Sequence, residues 1–208
     1  MKVAVLISGR GSNLHSLIQA SNEPKSGFEI ILVISNKRNA LGLETAKEVG
    51  IPIEIIDHRN FSNRESFDNK ITEFIESINV ELICLAGFMR ILSESFINRW
   101  YDQIINIHPS KLPAFKGLNV HQRVLDAGEK NSGCTVHFVR NKMDTGPIIC
   151  QASVPVYAND DVESLSSRIL KKEHIIYPQA VKLIAQGRVA VNGEYTLIDG
   201  KNIFPKNC

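Results

Sequence analysis

Short runs of Val, Ile and Leu recur near residues 3–7, 29–34, 53–56, 81–86 and 103–107, each followed by a longer amphipathic segment. That alternation is the pattern of repeated strand–helix units, because parallel strands covered on both faces read as continuous apolar runs. Helices are expected at 13–20, 40–49, 64–78, 93–99, 118–127 and 161–186. The last carries Val162, Leu165 and Ile169 at spacings of three and four, and Pro178 is expected to kink or divide it. Beyond residue 133 the alternation changes. The strand-like runs 134–139 and 148–156 are joined by Arg140 to Pro147, too few residues for a crossover helix, so the two pair antiparallel. Asn192-Gly193 has the turn chemistry of a closing hairpin. The fold class is α/β, a mostly parallel twisted sheet flanked by helices with an antiparallel C-terminal part.

A length of 208 residues suits one domain, and no linker, repeat or low-complexity block divides it. The balance of 24 Lys+Arg against 22 Asp+Glu gives a formal charge of +2, which provides no broad basic footprint for nucleic acid. The apolar runs are far short of the roughly 20 residues that cross a bilayer, and the N-terminal run is too short for a signal peptide. A cytoplasmic protein with small-molecule partners and no nucleic-acid or membrane partner is expected. Cys84, Cys134, Cys150 and Cys208 show neither Cys-x-x-Cys spacing nor histidines at zinc-finger distances, so reduced thiols are expected. The histidines show no i,i+4 pairing, and no metal is expected.

Three stretches carry chemistry. Ser8-Gly9-Arg10-Gly11-Ser12-Asn13 joins the first strand to a helix, and a glycine turn opening a helix presents free N–H groups to an anion. Leu14 occupies the third glycine position of the dinucleotide fingerprint and no Walker A sequence is present, which favours a phosphomonoester over NAD or ATP. Taken alone, the turn is equally a tight connection capped by Ser12 or Asn13. Asn106 and His108 stand two apart at the end of a strand and share a face, where an amide can donate to an oxyanion and an imidazole can exchange a proton. Asp144 precedes a Gly-Pro turn; it is either a turn residue or, if the loop folds over His108, the carboxylate that orients the ring. Ala86 to Leu92 reads as a core edge or the lip of an apolar slot. Glu173 and His174, adjacent in mid-helix, read as a solvated face.

These pieces, Ser8-Gly-x-Gly-Ser-Asn13, Leu85-Ala-Gly-Phe-Met-Arg-Ile-Leu92, Asn106-Ile-His-Pro-Ser110, Val136-His-Phe-Val139, Asp144-x-Gly-Pro147 and Glu173-His-x-Ile-Tyr-Pro178, fall in one order. In that order the chain resembles the folate-dependent phosphoribosylglycinamide formyltransferases over nearly its whole length. The resemblance implies a Rossmann-like formyltransferase fold in a single domain over 1–208, with a phosphate-binding part at about 1–100 and a folate-binding and catalytic part at about 101–208. It implies direct transfer of a formyl group from 10-formyltetrahydrofolate, as co-substrate, to the amine of 5-phosphoribosylglycinamide in purine synthesis, with no metal and no ATP. It assigns catalysis to Asn106, His108 and Asp144, and the phosphoribosylglycinamide to Gly11, Ser12, Asn13 and Glu173. The folate is assigned to Arg64, Met89, Arg90, Ile91, Leu92, Asn106, Arg140, Asn141, Lys142, Met143 and Asp144. A monomer or weak homodimer is expected.

Lys111, Asn119 and Thr145 depart from the residues common in that family, and Thr145 is expected to affect the folate loop. Methionyl-tRNA formyltransferase and formyltetrahydrofolate deformylase share the Asn-His-Asp chemistry, but each carries a further module for which this length leaves no room. A phosphate-ligand sensor would need the turn at Gly11 and none of the trio.

Overall fold

The computed structural model describes residues 1–202, which form two compact units, Met1–Asn106 and a second beginning at Ile107. The first unit runs β1 (Lys2–Ile7), α1 (Ser12–Ser21), β2 (Glu29–Ser35), α2 (Gly42–Glu48), β3 (Ile53–Ile55), a 3-10 turn at His58–Asn60, α3 (Arg64–Ser77), β4 (Leu82–Leu85), α4 (Glu94–Arg99) and β5 (Ile104–His108). Its strands are parallel in the order β3-β2-β1-β4-β5, so the chain leaves β1 for one side and returns on the other. In such sheets the crevice at the C-terminal ends of the strands, at this switch point, is where ligands bind. It is formed here by the ends of β1 and β4.

Val3, Ala4, Val5, Leu6 and Ile7 of β1 are all buried, as expected of a central strand covered on both faces. The edge strand β3 leaves Ile55 exposed. On α3, Phe67, Ile71 and Ile75 at four-residue spacing face inward, and the Asn63 side chain accepts the Ser66 N–H at 2.8 Å to cap the helix. Phe67 stacks on Phe88, with ring centroids 6.4 Å apart, and so anchors the residue before Met89.

The second unit takes up the last residues of β5 and continues through α5 (Val120–Asp126), β6 (Asn131–Phe138), β7 (Ile148–Pro155), α6 (Val162–Ala185), β8 (Val189–Asn192), β9 (Tyr195–Ile198) and β10 (Lys201–Asn202). β6 and β7 pair antiparallel, and β8, β9 and β10 form an antiparallel sheet whose first turn is Gly193-Glu194. β6 starts at Asn131, earlier than the apolar run, because its ladder with β7 extends to Pro155.

Helix α6 opens with a capping box between Asp161 and Ser164. Arg168 holds Asp160 by two hydrogen bonds, at 2.6 and 2.7 Å, and keeps that carboxyl well below the usual carboxylate range. The helix is not divided at Pro178: a proline removes one helical hydrogen bond, and the buried Tyr177, Pro178, Ala180 and Val181 hold the segment in place. Cys84, Cys134 and Cys150 are buried and in no disulfide among the described residues, and Cys208 lies outside those residues. Among the described residues no helix is long and apolar enough to cross a membrane.

Candidate active site

In the first unit, Gly11 takes φ 76° and precedes α1, whose N-terminus has no side-chain cap and no acidic residue in its first turn. The first-turn N–H groups and the positive helix end are therefore not claimed by a carboxylate of the turn itself. Ser12 and Asn13 are the first two helical residues. The reading of this turn as capped by Ser12 or Asn13 is corrected: the N-cap is Gly11, which has no side chain to accept.

The segment after β4 alternates. Phe88 and Leu92 are buried, at 8% and 5% exposure, while Met89 and Ile91 present 64% and 54% of their surface. Two apolar side chains turned outward favour the slot lip over the core edge. Arg64 opens α3, and both its charge and that of Arg90 act on Asp68, whose buried carboxylate accepts the Ser93 N–H just past the slot. Asn106 and His108 lie on the same face of β5 by strand alternation, and Asn106 is paired in register with Leu85.

In the second unit, His108 is 5% exposed and both its ring nitrogens face protein acceptors. Nε2 lies 3.0 Å from the Phe115 carbonyl, and Nδ1 lies 3.4 Å from Asp144 Oδ2. A carbonyl only accepts, so the Phe115 contact places a proton on Nε2; a second proton on Nδ1 makes the Asp144 contact an ion pair. Asp144 Oδ2 also accepts the Gly117 N–H at 2.8 Å, which ties the loop wrapping His108 to the carboxylate.

Asp144 takes φ 52°, and a Cβ on Gly146 would overlap the Phe138 carbonyl oxygen. That close approach explains the glycine two residues after Asp144. Arg140 donates to the Val139 carbonyl at 3.0 Å, whereas Asn141, Lys142 and Met143 are exposed. The Thr145 hydroxyl donates to the Lys142 carbonyl at 2.8 Å and so braces the loop from within. Asn119 enters α5 in the left-handed region, at φ 53°.

Glu173 is 7% exposed, which corrects the solvated-face reading of that helix position. Residues 165, 169, 173 and 177 fall at four-residue spacing along the buried stripe of α6, so a residue at 173 is carried inward whatever its polarity.

A residue without an assigned part stands beside Asp144. His137 Nε2 lies 3.7 Å from Asp144 Oδ1, and Nδ1 donates to the Phe138 carbonyl at 2.9 Å. Burial pushes the His137 imidazole well below the ordinary histidine range, so it stays neutral near pH 7. The signal was available: Thr135 and His137 are two apart in a strand, the spacing that drew attention to Asn106 and His108. Among the described residues no group of three or more His, Cys, Asp or Glu side chains is arranged to hold a metal ion.

The formyl transferase family model matches residues 1–181, and the chain belongs to that family. Phosphoribosylglycinamide formyltransferase of Haemophilus influenzae is 42% identical over 206 residues, covering 99% of this chain and 97% of its own length. The trifunctional purine biosynthetic protein adenosine-3 of Gallus gallus is 51% identical over 191 residues, 92% of this chain, which spans only 19% of that relative. The crystal structure of glycinamide ribonucleotide transformylase 1 from Symbiobacterium toebii superimposes with a TM-score of 0.93 at 41% identity, covering 95% of this chain and 93% of that one.

Proposed function

We propose that this chain is an enzyme that transfers the formyl group of 10-formyltetrahydrofolate to the amine of 5-phosphoribosylglycinamide, giving 5-phosphoribosyl-N-formylglycinamide in de novo purine biosynthesis. The observation that carries the reading is the contact of His108 with Asp144, two residues along the strand from Asn106, in a member of the formyl transferase family. The near full-length similarity to a phosphoribosylglycinamide formyltransferase supports the substrates.

In this reading the amine nitrogen attacks the formyl carbon, and negative charge collects on the former carbonyl oxygen in a tetrahedral intermediate. The Asn106 amide and the doubly protonated His108 ring donate to that oxygen, contacts that strengthen as the charge develops. Because both ring nitrogens face protein acceptors, donation requires one contact to be exchanged. Giving up the Phe115 carbonyl at Nε2 leaves Asp144 at Nδ1 to hold the charged ring. Collapse of the intermediate breaks the bond from the formyl carbon to N10 of the folate, and the proton lost by the amine is delivered to N10 by a water ordered at Asp144.

The turn at Gly11, Ser12 and Asn13 takes the phosphate, and Glu173 the glycinamide end. The folate lies along Met89, Arg90, Ile91 and Leu92 and the loop Arg140, Asn141, Lys142, Met143 and Asp144, with Arg64 at its carboxylate tail. The reading treats residues 1–208 as one formyltransferase domain of a cytoplasmic enzyme, a monomer or weak homodimer acting on small molecules without metal or ATP.

The test is spectral conversion of a 10-formyl folate analogue with and without phosphoribosylglycinamide, on wild type and on Asn106→Ala. Conversion should need the acceptor and fall by about a hundredfold or more in the variant, the scale of one lost oxyanion donor. Conversion without acceptor, or an unimpaired variant, overturns the reading.

A further inference from the structure

At the switch point of the first unit a single hydroxyl connects two segments that the proposed reading gives to different substrates. Ser8 follows β1 and begins the turn that leads to Gly11, Ser12 and Asn13. Its Oγ accepts the N–H of Met89, the first residue of the slot segment, at 2.8 Å. Its own N–H donates to the Gly87 carbonyl at 3.2 Å, so the ends of β1 and β4 are joined by side chain and backbone together.

The direction of the hydroxyl is set from the other side. Ser8 Oγ donates to Asn36 Oδ1 at 2.6 Å, and Asn36 is 2% exposed just beyond β2. The Asn36 amide nitrogen lies in turn 3.2 Å from His58 Nδ1. A serine hydroxyl has one proton, and with that proton committed to Asn36 the lone pairs are left for Met89. Ser8 Oγ is committed on both sides, its proton to Asn36 and a lone pair to Met89, so Ser8 acts through the segments it joins.

We propose that Ser8 is a positioning residue that fixes the folate-facing segment Met89 to Leu92 against the phosphate turn, holding both subsites in register. The inference rests on the proposed reading of those two segments. Without the hydroxyl, the Met89 N–H loses its acceptor inside the protein and the slot segment is free to shift relative to Gly9 through Asn13. The consequence falls on binding of both substrates, while the groups that touch the reacting atoms remain intact.

The experiment compares wild type, Ser8→Ala and Ser8→Thr by steady-state kinetics with phosphoribosylglycinamide and a 10-formyl folate analogue varied separately, alongside thermal unfolding of each protein. Ser8→Ala should raise KM for both substrates about tenfold, the scale of one lost buried hydrogen bond, with a smaller change in kcat. Ser8→Thr, which restores the hydroxyl, should recover most of the loss. If Ser8→Ala melts earlier but keeps both KM values, or if only one KM moves, Ser8 is structural or local and the inference falls while the function stands. If wild type itself shows no acceptor-dependent transfer, the reading of the subsites falls first. Should Ser8→Ala fail to fold, Ser8→Thr and Ser8→Cys carry the same comparison, and unchanged KM values in a Cys variant, whose thiol is a weaker and longer acceptor, overturn the inference.

Discussion

Gly11 and Gly42 meet backbone to backbone: a Cβ on Gly11 would stand 2.5 Å from the Gly42 Cα, and one on Gly42 would stand 3.0 Å from the Gly11 Cα. The Gly42 N–H also donates to the Gly9 carbonyl at 3.1 Å, so the start of α2 is the surface against which the turn at Gly11 is moulded. Neither position has room for a side chain, and Gly11 in addition takes a backbone angle that costs an L-residue about 1–2 kcal/mol.

Gly42→Ala therefore tests the turn without altering any group proposed to touch the phosphate. The added methyl would meet the Ile7 Cδ1 at 2.8 Å, the end of a side chain that can turn aside, and the Gly11 Cα at 3.0 Å, where the backbone of the turn has to give. The expected outcome is a KM for phosphoribosylglycinamide raised by about tenfold or more with a smaller effect on the folate KM, read by steady-state kinetics with each substrate varied. Equal KM values in variant and wild type would show that the turn does not hold the phosphate.

Asp144 sits against two histidines that differ in what they can do with a carboxylate. His137 is held neutral by burial and spends its Nδ1 proton on the Phe138 carbonyl, whereas His108 has Nε2 on the Phe115 carbonyl and turns Nδ1 to the carboxylate. Asp144→Asn keeps an oxygen for the Gly117 N–H but cannot stabilise a charged ring. Turnover should fall by about a hundredfold to ten-thousandfold, the range for a lost proton-transfer group, with both KM values changed far less. A variant retaining wild-type kcat would remove Asp144 from the mechanism.

The burial of His137 also makes a pH prediction. Its folded pKa lies below the unfolded value of about 6.5, so between the two the unfolded chain binds the extra proton. Stability is thus complete above about pH 6.5 and is lost as pH falls below it, and His121, lowered by burial and by the nearby His108, adds in the same direction. Histidine ring signals followed by NMR from pH 8 to 5 should show His137 unprotonated near pH 6. A His137 midpoint at or above about 6.5 would sink the claim that burial holds this ring neutral.

How much of this was legible depends on how local the cause was. The strands of the parallel sheet were readable because β1 is buried on both faces, and its apolar run records that directly. Asn106 and His108 were readable from a two-residue spacing. The fate of Glu173 was not, because the stripe that buries it is defined by neighbours at 165, 169 and 177, and the adjacent ionisable residues Glu173 and His174 in their midst read as solvated until the stripe is extended through them. The start of α5 was displaced from 118 to Val120 because Asn119 approaches in a left-handed conformation that no residue pattern announces. Gly42 escaped notice altogether, since its reason for being glycine lies 31 positions away at Gly11.

Asp68 joins the helix that carries Arg64 to the end of the slot segment. One carboxylate oxygen accepts the Ser93 N–H at 2.5 Å; the other, Oδ1, is buried with no hydrogen-bond partner among the described residues. Burial pushes the Asp68 pKa up, opposed by the Ser93 hydrogen bond and by the charges of Arg64 and Arg90. With the folded value above the unfolded value of about 3.9, the folded state binds more protons in that window, and stability declines as pH rises through it. Asp68→Asn retains an acceptor for Ser93 and abolishes the titration, so its stability relative to wild type should improve as pH rises from about 4 toward 7. Asp68→Ala leaves the Ser93 N–H without an acceptor and should cost about 1–3 kcal/mol across the same range. Chemical denaturation of the three proteins at several pH values decides the matter: a difference between Asp68→Asn and wild type that does not change with pH would mean the carboxyl titrates alike in both states.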